Sequence, residues 1–202
     1  SLAEGACKAL SQSKSFTVES IKPGKTNRKP PPPFTTDTML QSASSSLGWS
    51  MSKTSKIASD LYNKGLITYI RTDSTRTSAG ARDSAKEIIL ENYGQEFLGP
   101  GSLGPDAKKG SSNVQDAHEA IRPTDPKLET PEDSDLDAVR LYSLIRSRFL
   151  SSQMSDSVRE RREISGRVMG TELSITGTAS WRVHAGWEAA SEKFLPEPRI
   201  SE

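Results

Sequence analysis

The sequence predicts an α+β protein in which a mainly helical middle segment is inserted between two strand-forming ends. Hydrophobic residues recur at helical spacing through the middle of the chain, whereas both ends show the alternation typical of strands. Four consecutive prolines at residues 30–33 separate the first strand pattern from the first helix pattern and are typical of a stiff connector. The predicted domains are a strand-rich one of residues 1–31 and 151–202, and a helical one of residues 32–150.

Four helices are predicted in the middle segment, each from a capping residue followed by hydrophobic residues on one face. Gly48, Gly65 and Gly94 follow the first three of these patterns and are suited to ending a helix. The first predicted helix has possible caps at Thr35, Thr36 and Asp37, and the capping residues of the next three are Ser50, Ser78 and Asp135.

The strand patterns cover residues 15–21 and the chain from Val158 onward, where residues 173–183 alternate and Gly170 suits a hairpin turn. Within the helical segment, the first two predicted helices are followed by a strand-like stretch. That order resembles a winged-helix arrangement of the catabolite-activator type, which we predict for the helical domain.

Composition narrows the function classes. The net charge of +1 does not by itself indicate a nucleic-acid binder. Cys7 is the single cysteine, which excludes an internal disulfide and a cysteine-rich zinc site, and the presence of only two histidines disfavours a histidine metal cluster. No stretch is apolar enough to span a membrane and no secretory signal is visible, so we expect a soluble, cytoplasmic protein.

Residues 65–74 carry the strongest chemical signal, a strand-like run that ends in a polar turn. On a strand, Tyr69, Arg71 and Asp73 share one face. A phenol can act as a nucleophile, an arginine can bind a phosphate through two parallel hydrogen bonds, and a carboxylate can orient the arginine. A single tyrosine on a strand is more often a half-buried sheet residue, so this signal needs support from elsewhere in the chain.

A second polar cluster contains His118, Glu119 and Arg122. If residues 117–121 are helical, His118 and Arg122 lie on one face and can bind phosphate oxygens together. In either case Pro123 would end the helix. The alternative is that His118 is a neutral, hydrogen-bonded histidine at the end of that helix and binds no phosphate.

Together these motifs resemble the bacterial type IA DNA topoisomerases. Residues 65–74 are similar to the active-site segment of that family, and the other similar segments follow in the same order along the chain. Those segments are residues 32–36, 53–65, 117–123, 141–146, 153–154 and 181–187.

The resemblance implies an isomerase that relaxes negatively supercoiled DNA without ATP. In this family a tyrosine attacks a phosphate of single-stranded DNA, forms a 5′-phosphotyrosine link and frees a 3′-hydroxyl, which reseals the break after strand passage. Tyr69 matches the nucleophile and Arg71 the arginine that positions the phosphate. The positions that the resemblance associates with DNA binding are Thr68, Asp73, His118, Glu119, Arg122 and Ser155.

The resemblance also implies that this chain is a central fragment. The Mg²⁺ ligands of the family belong to a domain upstream, so we expect the full-length enzyme to use Mg²⁺ and this fragment to bind no metal and to be inactive alone. The expected partners are single-stranded and negatively supercoiled DNA and the metal-binding domain of the same polypeptide, with no membrane. We expect a nucleoid-associated monomer whose strand-rich domain is part of an arch.

Two alternatives remain at this stage. Tyrosine recombinases and type IB topoisomerases also combine Tyr, Arg and His, but their tyrosine usually follows the other residues, whereas Tyr69 precedes His118 and Arg122. The second alternative is a non-catalytic winged-helix DNA-binding module with an incidental tyrosine. The arginine-rich residues 159–167 fit either a solvated strand face or a surface that follows DNA phosphates.

Overall fold

The computed structural model describes residues 5, 8, 11, 15–99, 118–132 and 134–191. The sequence also predicts a short helix or turn before residue 15 and a surface loop at residues 98–116, and most of both segments lies outside the described residues. The described elements are β1 (Phe16–Arg28), α1 (Thr36–Leu47), α2 (Met51–Asn63), α3 (Ala79–Asn92), a 3₁₀ turn (Gln95–Phe97), α4 (Leu136–Ser152), β2 (Ser157–Val168), β3 (Ser174–His184) and α5 (Glu188–Ser191). The predicted α+β class is confirmed.

The chain divides into two compact units. The strand unit consists of Ser1–Arg28 and Val158–Ala185, and the helical unit consists of Lys29–Ser157 and Gly186–Glu202. These bounds differ from the predicted domains, 1–31 with 151–202 and 32–150, which remain a prediction. The difference arises because the end of α4 is bonded to the chain after β3: the Ser151 hydroxyl donates to the Trp187 carbonyl at 3.0 Å.

The strand unit is a three-stranded sheet in the order β1–β2–β3. β2 and β3 are antiparallel, and Gly170 lies at a φ of 79° in the turn between them, as its predicted hairpin role requires. β1 continues to Arg28, well beyond the predicted strand of residues 15–21. A Cβ on Gly166 would come within 2.5 Å of the Thr17 carbonyl oxygen, so glycine allows β1 and β2 to approach closely there.

All four predicted helices of the middle segment are confirmed, with the predicted caps. The hydroxyls of Ser50 and Ser78 and the carboxylate of Asp135 each accept from a backbone N–H in the first turn of the following helix. Thr35 and Thr38 form a reciprocal capping box at the start of α1. These bonds satisfy donors that a helix cannot satisfy itself, which is why a short polar side chain before a hydrophobic pattern predicted each start.

α4 is the centre of the helical unit because both hydrophobic clusters of the described residues include it. Its first half packs against α1, α2 and the chain around Ile67 and Ile121, whereas Phe149 and Leu150 pack against α3. Leu141, Tyr142 and Ile145 have no exposed surface. The segments that flank the tyrosine motif are therefore anchored on one buried helix.

Tyr142 brings a polar group into this core. Its hydroxyl donates to the carbonyl oxygens of Asp125 and Leu128, at 3.1 and 2.9 Å. Burial raises the pKa of Tyr142 to about 12, partly offset by the nearby positive charge of Arg146. The neutral phenol thus ties the loop after Pro123 to α4.

Tyr142→Phe is expected to lower the free energy of unfolding by about 1–3 kcal/mol, because two buried carbonyl oxygens lose their donor. The raised pKa adds a pH dependence. The phenol ionises more readily in the unfolded chain, so the stabilisation is present below about pH 10 and is lost as the pH rises through the folded-state pKa of about 12. Urea unfolding followed by circular dichroism at several pH values measures both effects.

Tyr93→Phe is the matched control, since Tyr93 ends α3 and is half-buried. Its unfolding curve should stay within about 0.5 kcal/mol of the parent chain. Equal stability of Tyr142→Phe and Tyr93→Phe would contradict a structural role for the Tyr142 hydroxyl.

Candidate active site

The segment that carries Tyr69 is extended but is not a regular strand. It forms one isolated bridge, between Ile67 and Pro123, and bends at Ile70 and Arg71. The prediction of a strand over residues 65–74 is therefore wrong in detail, because most of its backbone groups do not pair in a ladder.

The chain around Arg122 lies beside this segment. The Thr68 backbone N–H donates to the Arg122 carbonyl at 2.9 Å, and the Thr124 N–H donates to the Leu66 carbonyl at 3.1 Å. The Thr68 hydroxyl donates to the Ala120 carbonyl at 2.7 Å and accepts from the Arg122 N–H at 3.0 Å. Thr68, a predicted DNA-binding residue, thus uses its hydroxyl to join two stretches of backbone.

The other side of the Tyr69 segment is held by the start of α1. The Thr36 hydroxyl donates to the Ile70 carbonyl at 2.6 Å and accepts from the Thr72 N–H at 2.9 Å, and the Thr36 N–H donates to the Thr72 carbonyl at 2.9 Å. These bonds fix the backbone on both sides of Arg71. The bend there directs the Arg71 side chain toward solvent.

The three residues predicted to share a face are all exposed. Tyr69 is 44% exposed, and Arg71 and Asp73 are exposed as well, whereas Thr72, between Arg71 and Asp73, is buried. With respect to the described residues, Arg71 makes no hydrogen bond or ion pair, and it does not pair with Asp73. The Arg71 guanidinium is therefore available to a ligand beside the Tyr69 phenol.

Two aromatic rings adjoin Tyr69. The ring of Tyr62, at the end of α2, meets it edge to face with centroids 5.4 Å apart. The imidazole of His118 lies 6.5 Å from it, tilted by 34°. The structure thus brings the predicted residue His118 to Tyr69, and it adds Tyr62.

Arg122 is placed differently from His118. Its side chain is 11% exposed, pairs with Glu119 at 2.5 Å, and donates to the Pro123 carbonyl and the Ser78 hydroxyl at 2.9 and 3.3 Å. These contacts hold the side chains of Arg122 and Glu119 in place within the helical unit.

The predicted helix over residues 117–121 is wrong in the part that the structure describes, which begins at His118 and is extended. The Ile121 N–H donates to the Phe34 carbonyl at 2.8 Å, and the Ala120 N–H donates to the Arg76 carbonyl at 2.8 Å. Because these donors bond to distant segments, no helical turn forms. His118 and Arg122 do not share a helix face.

Ser155 lies in another part of the helical unit. Its hydroxyl donates to the Glu96 carbonyl at 3.0 Å, its N–H donates to the Phe97 carbonyl at 2.8 Å, and its carbonyl accepts from the Trp187 N–H at 2.9 Å. None of these bonds links Ser155 to the segment around Tyr69.

The described residues contain neither a cluster suited to a metal ion nor a membrane-spanning helix. No group of three or more His, Cys, Asp or Glu side chains there is arranged to hold a metal ion. No helix among those residues is both long and apolar enough to cross a membrane.

Comparison with known proteins gives consistent matches. A family model described as DNA topoisomerase matches residues 1–199. DNA topoisomerase 1 of Fervidobacterium islandicum is 43% identical over 164 residues, which cover 74% of this chain and 23% of that protein. DNA topoisomerase 1 of Thermotoga maritima is 38% identical over 185 residues, which cover 86% of this chain and 29% of that protein.

The full-length topoisomerase I structure from Thermotoga maritima has a similar fold, with a TM-score of 0.78 and 34% sequence identity. The similarity covers 96% of this chain and 33% of that one. This chain therefore spans about a quarter to a third of the length of the relatives that it matches. Since the family model matches nearly every residue, the chain belongs to the bacterial type IA DNA topoisomerase family.

Proposed function

We propose that this chain is the tyrosine-bearing part of an enzyme that relaxes negatively supercoiled DNA without ATP, by transient cleavage of one strand. The observation that carries the proposal is the pair of exposed side chains, Tyr69 and Arg71, on a backbone that Thr36 and Thr68 hold from two sides. An exposed phenol and an available guanidinium are thereby presented together on one fixed stretch of backbone.

In the proposed reaction the Tyr69 oxygen attacks the phosphorus of a DNA phosphodiester. The bond from phosphorus to the 3′-oxygen of the preceding nucleotide breaks, and a 5′-phosphotyrosine ester forms. The phenol gives up its proton and the departing oxygen takes one up, so protons balance. Attack by the 3′-hydroxyl reverses the step, and because one ester replaces another, resealing needs no ATP.

Arg71 is proposed to bind the two non-bridging oxygens of the attacked phosphate. A guanidinium matches that geometry with two parallel hydrogen bonds, and its charge offsets the negative charge that builds up during attack. His118, exposed beside Tyr69, is proposed to contact the neighbouring DNA. Asp73 is exposed as well and is proposed to lie at the DNA surface.

Thr68, Glu119 and Arg122 are proposed to act on DNA through the backbone that they hold, since their polar groups bond within the protein. Ser155 remains a proposed nucleotide-binding residue, at a position that its hydrogen bonds do not connect to the segment around Tyr69. The winged-helix character of the helical unit and the role of the sheet as part of an arch are likewise proposals, which the similarity to topoisomerase I supports at the level of fold.

The proposed cofactor is Mg²⁺, with ligands contributed by another part of the full-length polypeptide. The described residues offer no cluster that fits the ion, so the steps above use only the side chains of this chain. Bound Mg²⁺ would supply positive charge near the phosphate. A cytoplasmic, nucleoid-associated monomer remains our prediction for the full-length protein.

Tyr69→Phe in the full-length protein is expected to abolish plasmid relaxation and the covalent DNA adduct, because the nucleophilic oxygen is removed. Single-strand binding should persist, since the ring and Arg71 remain. Tyr93→Phe makes the same chemical change away from the site and should leave relaxation unaltered. Gel assays of relaxation and of protein–DNA adducts measure these outcomes, and continued relaxation by Tyr69→Phe would refute the proposed nucleophile.

The polarity of the adduct separates this proposal from a tyrosine recombinase or type IB mechanism. An oligonucleotide labelled at its 3′ end should carry its label into the adduct, because the protein joins the 5′-phosphate of the downstream piece. Adducts that retain only a 5′-end label would favour the rival chemistry. A non-catalytic DNA-binding module would give no adduct with either label.

Arg71→Ala in the full-length protein is expected to slow single-turnover cleavage by about 10²–10³-fold, the usual effect of removing one charge-stabilising group. Arg71→Lys should recover part of the loss, because lysine keeps the charge but not the paired hydrogen bonds. Cleavage of a labelled oligonucleotide by each variant, measured at saturating protein, tests this role. Equal rates for the parent and Arg71→Ala would contradict it.

The isolated chain of 202 residues is expected not to relax negatively supercoiled plasmid, even with Mg²⁺, because the proposed metal-binding part is not included. Agarose gels over a range of protein concentrations provide the measurement, with the full-length protein as the positive control. Robust relaxation by the isolated chain would show that the chemistry needs no further domain.

A further inference from the structure

Tyr62 is an exposed aromatic residue with no assigned role. It lies in the last turn of α2, where 42% of its surface is exposed, and its ring meets the ring of Tyr69 edge to face. Tyr142, by contrast, is a core tyrosine, because it has no exposed surface and its hydroxyl donates to two carbonyl oxygens. Burial therefore does not account for Tyr62.

Tyr62, Tyr69 and His118 form a row of rings. The Tyr69 ring is the middle member, 5.4 Å from Tyr62 and 6.5 Å from His118 by their centroids. All three side chains are exposed, and Arg71 adds an available positive charge next to the row. Exposed aromatic rings beside a cation are the combination that binds single-stranded nucleic acid, because every base has a face that can stack.

We propose that Tyr62 is the stacking site for the base of the nucleotide whose 5′-phosphate is joined to Tyr69. This inference rests on the proposed function. Once the ester forms, that nucleotide is tethered to the Tyr69 oxygen, and its base is only one sugar away from the ester. Tyr62 is the aromatic neighbour whose ring forms an edge-to-face contact with the ring of Tyr69.

Stacking on Tyr62 would hold the cleaved 5′ end in place while the other strand passes. It would act on any base, because stacking on an aromatic ring tolerates differences in sequence. The competing explanation is that Tyr62 only supports the ring of Tyr69 through their edge-to-face contact. The two explanations differ in whether the effect of Tyr62 depends on the presence of a base.

The test uses the full-length protein with Mg²⁺ and two single-stranded oligonucleotides that share a mapped cleavage site. One is intact, and the other is abasic at the first nucleotide 3′ of the break. The variants are Tyr62→Ala, which removes the ring, and Tyr62→Phe, which keeps it. The fraction of oligonucleotide in the covalent complex at equilibrium is the readout.

On the intact oligonucleotide, Tyr62→Ala is expected to lower the equilibrium constant for the covalent complex by about tenfold, within the range for one base stacked on an aromatic ring. Tyr62→Phe should stay within about twofold. On the abasic oligonucleotide, the parent protein should fall to the level of Tyr62→Ala, and the substitution should have little further effect. An equal loss on both oligonucleotides would show that Tyr62 acts only through Tyr69 and would overturn the inference.

A second arm keeps this test separate from the proposed function. Binding of both oligonucleotides by Tyr69→Phe, with and without Tyr62→Ala, measures stacking without covalent chemistry. A base-dependent loss of affinity supports the stacking site, and a base-independent one refutes it. Absence of any covalent adduct with the parent protein would refute the nucleophile and would leave this second comparison intact.

Discussion

The candidate active site depends on hydrogen bonds from two threonine hydroxyls to backbone. Thr36 and Thr68 bond to backbone on either side of Tyr69 and Arg71, where no regular strand ladder exists. Backbone polar groups that are partly buried need partners, and here side-chain hydroxyls supply them. The backbone is thereby fixed, while the side chains of Tyr69 and Arg71 remain exposed and able to meet a ligand.

Arg71 and Arg122 are both arginines of the candidate site, but they differ in burial and in hydrogen bonding. Arg122 is buried and bonds to Glu119, Ser78 and the backbone, so its charge is used inside the protein. Arg71 is exposed and makes no such bond with the described residues. Removing Arg122 would leave the partly buried Glu119 carboxylate without its ion-pair partner, and therefore would disturb the fold as well as any contact with DNA.

Local patterns predicted what local interactions decide. The caps at Ser50, Ser78 and Asp135 follow from residue type and spacing, and the structure has them. The chain after His118 is extended, not helical as predicted, because its N–H groups donate to the carbonyls of Phe34 and Arg76. Sequence spacing cannot reveal such bonds between distant segments.

The sequence pattern also missed Tyr62. Leu61 is buried, whereas Tyr62, the next residue in the same turn of α2, is 42% exposed, and its contact with Tyr69 joins two segments that local patterns do not connect.

The magnitudes of aromatic contacts favour an exchange of partners at Tyr69. An edge-to-face ring pair is worth about 0.5–1.5 kcal/mol, whereas a base stacked on an aromatic side chain is worth about 1–3 kcal/mol. Because the first contact is weak, the Tyr69 ring can leave Tyr62 at little cost when its oxygen moves to a phosphate. Because the second contact is worth more over most of these ranges, a base that stacks on the ring of Tyr62 offsets that cost. The contact seen between the two tyrosines is then the resting state of a surface that DNA completes.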